Sequence, residues 1–200
     1  MTTIVKERSN NAVKAAVKVL ERGGTIVYPT ETSYGLGCDG TSRRAVKKIF
    51  RIKGRSNTKN LTYIISSLRV AKEYGTLNKN DIDIIKKLMP GNMTLVVKSR
   101  NNIIGNEFAF RISSNKFAHN LARNLKKPIV ATSANISGKK PLHKIKEIKN
   151  IFLGKVDLII DAGNLKKRKP TTVLDLFDGV NIRRKGIVGE KDIRGLYEVS

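Results

Sequence analysis

The sequence predicts a domain of mixed α/β (α+β) class, in which helices pack on a twisted sheet. Segments with helical periodicity alternate along the chain with short apolar segments typical of strands. The chain has 200 residues, of which 40% are hydrophobic, enough to bury one substantial core. It contains no internal repeat, low-complexity linker or visible domain boundary. We therefore expect a single domain over residues 1–200.

Five segments are predicted to be helices because their apolar residues share one face. In the first segment, Ala12, Ala16 and Leu20 lie on one side and Gly23 follows the end. Asn115 is expected to cap the fourth helix, since its side-chain oxygen can accept a backbone N–H. The predicted helices cover residues 11–22, 41–51, 81–89, 116–127 and 143–153.

Seven or eight strands are predicted from short apolar segments. They cover residues 25–29, 61–66, 94–98, 108–112, 128–132, 156–161, 172–177 and 180–183. A glycine-rich loop is expected between the first of these strands and the second helix. The alternation of elements leaves the order of strands in the sheet open.

The chain is strongly basic, with 40 Lys and Arg against 16 Asp and Glu and a formal net charge of +24. This charge attracts polyanions such as nucleotides and RNA, although a lysine-rich surface can also lack a specific role. No run of eighteen apolar residues is present, and the first residues are polar where a signal peptide is apolar. The single cysteine, Cys38, is expected to be a small structural residue. A cytoplasmic protein without membrane association is predicted.

Common catalytic and nucleotide-binding motifs are not supported. The segment from Gly35 to Gly40 matches the spacing of a dinucleotide-binding loop, but residues 41–72 contain no acidic residue for the ribose. No P-loop sequence is present. His119 and His143 are expected at the surface, and the sequence has no cluster of Cys and His suited to a metal.

Two places in the sequence are candidate sites for an anionic ligand. Residues 41–72 carry ten Lys and Arg, among them Lys53 and Arg55, expected in a loop after the second helix. An ammonium and a guanidinium in such a loop can bind phosphate oxygens together. Ser133 and Asn135 follow a predicted strand, and ligands in α/β folds collect at strand ends. An ordinary turn capped by these two residues is the alternative.

Several segments, taken together, resemble the YrdC family in order and spacing. They are residues 28–37 (YPTETSYGLG), 53–55 (KGR), 89–97 (MPGNMTLVV), 110–111 (FR) and 128–138 (PIVATSANISG), followed by 156–163, 171–175 and 182–186. The specific signature is Lys-x-Arg paired with Ser-x-Asn about eighty residues later. The likeness covers roughly residues 10–188. It implies a YrdC-like twisted mixed sheet flanked by helices around a large, positively charged cavity.

The resemblance also implies an activity. Members of this family of the short, single-domain form make L-threonylcarbamoyladenylate and pyrophosphate from ATP, L-threonine and bicarbonate. The product serves the synthesis of threonylcarbamoyladenosine in tRNA. Mg²⁺ bound with ATP is the implied cofactor, and a threonylcarbamoyl transferase of the Kae/TsaD type is the implied downstream partner. Direct contact with RNA is left open.

The resemblance assigns residues to each substrate. The implied catalytic residues are Lys53 and Arg55. The implied ATP ligands are Lys53, Arg55, Lys59, Ser133, Asn135 and Arg184, and the implied threonine ligands are Thr32, Arg111, Ala131 and Thr171. The guanidinium of Arg111 is expected to pair with the threonine carboxylate. No protein ligand to a metal is implied.

The chain departs from the family pattern at several positions. Ser56, Thr132 and Lys185 stand where many relatives have proline, Ile64 stands where some have a threonine-binding histidine, and Pro170 replaces an acidic residue. Substrate contacts near Ile64 and Pro170 are therefore the least defined by the resemblance.

Two alternative functions stay open. A non-catalytic, double-stranded RNA-binding module would use the net charge and the lysine-rich segments 139–149 and 166–169, but the chain has no Trp and only eleven Phe and Tyr for stacking on bases. A nucleotide-binding protein of the same fold that carbamoylates another acceptor is the second alternative.

Overall fold

The computed structural model of the chain describes residues 1–54, 60–101, 104–177 and 179–194. Within these ranges the chain forms seven helices and eleven strands, and the strands belong to two mixed sheets. The predicted mixed α/β class is confirmed, whereas the strands form two sheets where one was expected. No helix in the described ranges is both long and apolar enough to cross a lipid bilayer.

The elements follow the predicted alternation with a few additions. The strands are β1 (Thr3–Lys6), β2 (Thr25–Pro29), β3 (Tyr34–Cys38), β4 (Thr62–Ile65), β5 (Met93–Lys98), β6 (Glu107–Ile112), β7 (Ile129–Val130), β8 (Thr132–Ser133), β9 (Leu158–Asp161), β10 (Thr172–Asp175) and β11 (Asn181–Arg184). The helices are α1 (Ala12–Glu21), α2 (Arg43–Lys53), α3 (Leu68–Tyr74), α4 (Lys79–Leu88), α5 (Lys116–Leu125), α6 (Ile145–Phe152) and α7 (Glu190–Arg194). The five predicted helices are α1, α2, α4, α5 and α6. Four elements, β1, β3, α3 and α7, were not predicted.

The two sheets differ in size and order. The five-stranded sheet has the order β1-β9-β2-β3-β8, and the six-stranded sheet has the order β11-β10-β5-β6-β4-β7. Each contains parallel and antiparallel pairs: β1 and β9 are parallel, whereas β2 and β3 are antiparallel. A large core cluster contains residues of both sheets, and a smaller one packs α1 and α5 on β2 and β9. Burial of these apolar faces is the main favourable term for the fold.

The glycine-rich segment expected to be a loop is the buried strand β3. Its five residues pair with β2 on one side, and two of them pair with β8 on the other. A Cβ atom at Gly37 would clash with the carbonyl oxygen of Val130, and one at Gly40 would lie 2.8 Å from that of Pro128. Glycine is therefore needed here because neighbouring backbone approaches closely, and not because the segment bends.

The helix ends are defined by local hydrogen bonds. The Asn115 side chain accepts a hydrogen bond from the Ala118 backbone N–H at 3.0 Å, so the predicted cap of α5 is confirmed. Helix α2 begins after Ser42, whose side chain accepts from the backbone N–H of Ala45, and ends before Gly54 with φ 59°. Lys53 is the last residue of α2, so its predicted place in a loop is wrong.

The predicted strand over residues 128–132 is divided between the two sheets. Strand β7 pairs with β4 in the six-stranded sheet, and β8 pairs with β3 in the five-stranded sheet. Ala131 stands between them, and its backbone N–H donates to the carbonyl oxygen of Thr62 at 2.7 Å. The chain thus passes from one sheet to the other at a single residue.

Candidate active site

A cavity of about 640 Å³ opens beside Ala131, where the chain passes between the sheets. Four of the described residues that line it are Lys or Arg, and none is Asp or Glu. The cavity therefore attracts anions. Its lining residues are Thr30, Thr32, Ser33, Tyr34, Gly35, Asn60, Leu61, Thr62, Arg111, Ala131, Thr132, Ser133, Pro141, His143, Lys167, Arg168, Pro170, Thr171 and Arg184.

Arg111, in β6, is held in the cavity wall by a buried ion pair. Its Nε atom donates to Oε1 of Glu31 at 2.5 Å, and the Ser113 hydroxyl donates to Oε2 of the same carboxylate at 2.5 Å. Arg111 is only 6% exposed and Glu31 is 7% exposed. Among the described residues, the terminal nitrogens of Arg111 have no hydrogen-bond acceptor. These N–H groups are the part of the guanidinium that can bind a carboxylate or phosphate.

Arg184, in β11, is held beside the cavity by Thr171. Its Nε and one terminal nitrogen donate to the Thr171 carbonyl oxygen at 3.1 and 2.9 Å, and the same terminal nitrogen lies 2.9 Å from the Thr171 hydroxyl. That hydroxyl also lies 2.9 Å from the hydroxyl of Thr94 in β5. Burial and the nearby charge of Arg111 lower the pKa of Arg184, although an arginine stays protonated at neutral pH. Two guanidinium groups are therefore brought together in one cavity.

Lys53 supports the turn that contains Ser133. Its ammonium donates to the carbonyl oxygen of Ser133 at 2.7 Å, to that of Asn135 at 3.1 Å and to the Asn135 side-chain oxygen at 3.0 Å. The Ser133 hydroxyl donates to the same Asn135 side-chain oxygen at 2.6 Å. Lys53 is 3% exposed and does not line the cavity. In this structure its ammonium fixes the backbone on which Ser133 is carried.

The predicted site residues fall into three groups. Six of them line the cavity: Thr32, Arg111, Ala131, Ser133, Thr171 and Arg184. Lys53 and Asn135 lie next to Ser133 without lining the cavity. Arg55 and Lys59 lie outside the described residues.

The sequence analysis missed several polar residues of the cavity. Among them are Asn60, His143, Lys167 and Arg168. The expectation of a plain surface position is wrong for His143, which lines the cavity and whose Nδ1 atom is inaccessible and has no hydrogen-bond partner in the described part of the chain. Burial and the charge of Lys167 lower the pKa of His143. The lysine-rich segment 166–169 was a signal for the last two residues, but a run of charge does not indicate which side chains face a cavity.

The positions that depart from the family pattern have different surroundings. Pro170 and Thr132 line the cavity, whereas Ile64 is fully buried in the smaller core cluster. An apolar side chain at position 64 therefore contributes to packing and not to the described cavity wall.

The comparison with a family model identifies the class of protein. The Sua5/YciO/YrdC model, described as telomere recombination, matches residues 18–186. The chain therefore belongs to the Sua5/YciO/YrdC family.

Solved structures of three chains are similar over almost the whole of this chain. A doubly substituted P. abyssi Sua5 superposes with a TM-score of 0.91 at 28% identity, covering 98% of this chain and 63% of Sua5. P. abyssi Sua5 complexed with L-threonine gives 0.88 at 29% identity, covering 98% and 60%. E. coli YciO gives 0.86 at 29% identity, covering 96% and 99%. The chain thus spans less than two thirds of the two Sua5 chains and nearly all of YciO.

Proposed function

We propose that this chain is an L-threonylcarbamoyladenylate synthase, a nucleotidyltransferase that uses ATP, L-threonine and bicarbonate. The observation that carries the proposal is the ion pair of Arg111 with Glu31 in the wall of a cationic cavity. It leaves the terminal N–H groups of Arg111 as a preformed partner for a carboxylate. The family and the similarity to a Sua5 structure complexed with L-threonine support an amino acid as the ligand.

The proposed reaction brings two anions together. The amine of threonine and bicarbonate give an N-carboxylate and water. An oxygen of this carboxylate attacks the α-phosphorus of ATP, the bond to the bridging oxygen of the β-phosphate breaks, and pyrophosphate leaves. Because nucleophile and phosphate are both negatively charged, the reaction needs cations fixed in position before the substrates arrive.

The lining residues divide between the two substrates in this proposal. Arg111 pairs with the threonine carboxylate, and Thr32, Ala131 and Thr171 surround the rest of the amino acid. Ser133 and Arg184 bind the nucleotide, while Lys53 and Asn135 hold Ser133 in place. Holding both substrates in one geometry supplies much of the rate acceleration.

Further parts of the proposal rest on the family resemblance. Arg55 and Lys59 complete the ATP site. Mg²⁺ would be brought by ATP and would neutralise part of the charge of its phosphates; the described cavity-lining residues offer hydroxyls and no carboxylate as direct ligands. The product passes to a threonylcarbamoyl transferase of the Kae/TsaD type in the cytoplasm for modification of tRNA.

The proposal is tested by measuring pyrophosphate release and the adenylate product while each substrate is omitted in turn. Product is expected only with ATP, Mg²⁺, threonine and bicarbonate together, because the nucleophile forms from the last two. Serine should react about tenfold or more slowly, since it lacks the methyl group of threonine. Pyrophosphate release without an amino acid, or equal rates with serine, would contradict the proposal and favour another acceptor. RNA binding without any turnover would favour the RNA-binding alternative.

Two substitutions locate the activity in this cavity. Ser133→Ala is expected to slow adenylate formation at least about tenfold, because it removes a hydrogen bond to a charged group. Arg55→Lys is expected to slow it as well, since the ammonium keeps the charge but loses the two-pronged geometry of the guanidinium. Arg44→Ala, on the exposed face of α2, is the control and should leave the rate unchanged.

A further inference from the structure

Residues 163–170 form a loop between β9 and β10 that makes one wall of the cavity; we name it the basic loop. Hydrogen bonds attach it to the fold at several points. The Tyr34 hydroxyl donates to the carbonyl oxygen of Gly163 at 2.7 Å. The backbone N–H of Leu165 donates to the carbonyl oxygen of His143 at 2.8 Å. The carbonyl oxygen of Pro170 accepts a hydrogen bond from the backbone N–H of Ile187 at 3.0 Å. The part of the loop between these attachments therefore has a defined place at the cavity.

Lys167 and Arg168 are the charged residues of the basic loop that line the cavity, together with Pro170, whereas Lys166 and Lys169 do not line it. Neither Lys167 nor Arg168 has a carboxylate or another hydrogen-bond partner among the described residues. The charge of Lys167 also acts on the ring of His143. Two adjacent positive charges thus stand in the cavity wall without a carboxylate partner in the part of the chain that the structure describes.

The two cavity-lining arginines on strands, Arg111 in β6 and Arg184 in β11, differ from these loop residues because each has a hydrogen-bond partner. Arg111 is compensated by Glu31, and Arg184 donates to Thr171. Lys167, Arg168 and Arg184 are therefore cavity cations without a carboxylate partner in the described part of the chain, and two of these three lie on the basic loop. Mutual repulsion between adjacent cations is relieved when a ligand with several negative charges binds between them. A cavity of about 640 Å³ is large enough for a ligand of nucleotide size.

We propose that Lys167 and Arg168 form the subsite for the β- and γ-phosphates of ATP and, after the reaction, for pyrophosphate. This inference rests on the proposed function, because pyrophosphate is the leaving group of the proposed reaction and these two residues would bind it. Negative charge grows on the β-phosphate oxygen as its bond to the α-phosphorus breaks. Cations placed at that oxygen stabilise the transition state more than the bound substrate.

Isothermal titration calorimetry with inorganic pyrophosphate and with L-threonine tests the subsite directly. In the full chain, the double variant Lys167→Ala/Arg168→Ala is expected to bind pyrophosphate about tenfold or more weakly and threonine within about twofold of the parent. The double variant Lys166→Ala/Lys169→Ala removes the same charge from the same loop outside the cavity. It should change pyrophosphate binding by no more than about threefold at physiological salt.

Two results would overturn the subsite. One is equal weakening in both double variants, which would mean a general effect of net charge. The other is unchanged pyrophosphate affinity in Lys167→Ala/Arg168→Ala while the parent makes the adenylate, which leaves the proposed function intact. Conversely, a parent that binds pyrophosphate through these two residues but makes no adenylate would contradict the proposed function and support the subsite.

Discussion

The Nζ atom of Lys53 lies 2.7 Å from the carbonyl oxygen of Ser133, which is 80 positions further along the chain. This contact joins the end of α2 to the end of β8 and extends to both oxygens of Asn135. The two parts of the Lys-x-Arg and Ser-x-Asn signature therefore meet in space. They meet because the lysine donates to backbone and amide oxygens of the turn that contains Ser133.

Replacing Lys53 by Met is expected to lower both stability and activity. Without the ammonium, three oxygens near Ser133 lose a charged donor in a buried place, so the free energy of unfolding should fall by about 2 kcal/mol or more. Urea unfolding followed by circular dichroism measures this change. Lys47→Met, on the exposed side of the same helix, is the control and should stay within about 0.5 kcal/mol of the parent. Parent-like stability of Lys53→Met would contradict the supporting role.

Glu31→Gln is expected to weaken threonine binding at least about tenfold, because Arg111 loses the carboxylate that fixes its guanidinium. Removing one partner of a buried pair should also lower the free energy of unfolding by about 3 kcal/mol. Calorimetric titration with L-threonine and urea unfolding measure the two effects. Glu21→Gln, at the exposed end of α1, is the matched control. If Glu31→Gln binds threonine like the parent, Glu31 does not position Arg111.

Asp161 is expected to make the free energy of unfolding depend on pH in the acid range. Burial disfavours its charged form, but hydrogen bonds from Lys6, the Gly163 backbone N–H and Lys149 outweigh burial and lower the pKa of Asp161 to about 2 from its ordinary 3.8. Because the pKa is lowered in the folded state, the stabilisation is fully present above pH 3.8 and is lost as the pH falls through about 2. Lys6 is largely exposed, so we expect about 1 to 2 kcal/mol from these contacts.

Urea unfolding of the parent and of Asp161→Asn between pH 2 and pH 7 tests this expectation. The difference in unfolding free energy should be largest above about pH 4 and should shrink towards pH 2. Asp83→Asn, whose carboxylate pairs with Lys86 of its own helix, is the control with a small effect at every pH. A difference that does not depend on pH would contradict the assignment.

Cys38 is expected to be unreactive in the folded protein. The thiol is completely buried in β3, and burial raises its pKa, so the nucleophilic thiolate is not available. A thiol reagent at about pH 8 should label the protein only after unfolding, and the unfolded chain should then take up label at its single cysteine. Cys38→Ala should keep adenylate formation within about twofold while losing roughly 1 kcal/mol of stability. Rapid labelling of the folded chain, or a large loss of activity in Cys38→Ala, would contradict a purely structural role.

The sequence was sufficient for elements whose pattern is local. The amphipathic spacing of Ala12, Ala16 and Leu20 predicted α1, and Asn115 predicted the start of α5, because both depend on neighbours within a few residues. The division into two sheets was not predictable in this way. Whether Gly37 lies in a loop or in a strand depends on the approach of Val130, which is 93 positions later, and no local pattern encodes that distance.

The candidate site was predictable only in part, for a related reason. Thr32, Arg111 and Ser133 were assigned through motifs, and the structure brings them to one cavity. Glu31 was not assigned, because its role arises from a contact with a residue 80 positions away. Lys167 and Arg168 looked like any other charged surface residues in the sequence. Their proximity to the cavity follows from the attachment of Gly163 and Pro170 to other parts of the fold.

Ala131 is a one-residue connection between the two sheets. Strand β7 on one side of it belongs to the six-stranded sheet, and β8 on the other side belongs to the five-stranded sheet. A connection of one residue permits little sliding or separation of the two sheets at this point. Its backbone N–H is also hydrogen-bonded to the carbonyl oxygen of Thr62, which restricts it further. The width of the cavity at this point is therefore set before any substrate arrives. Any adjustment of the cavity to a bound ligand must therefore come from segments outside these two strands, such as the basic loop, which contains no strand or helix.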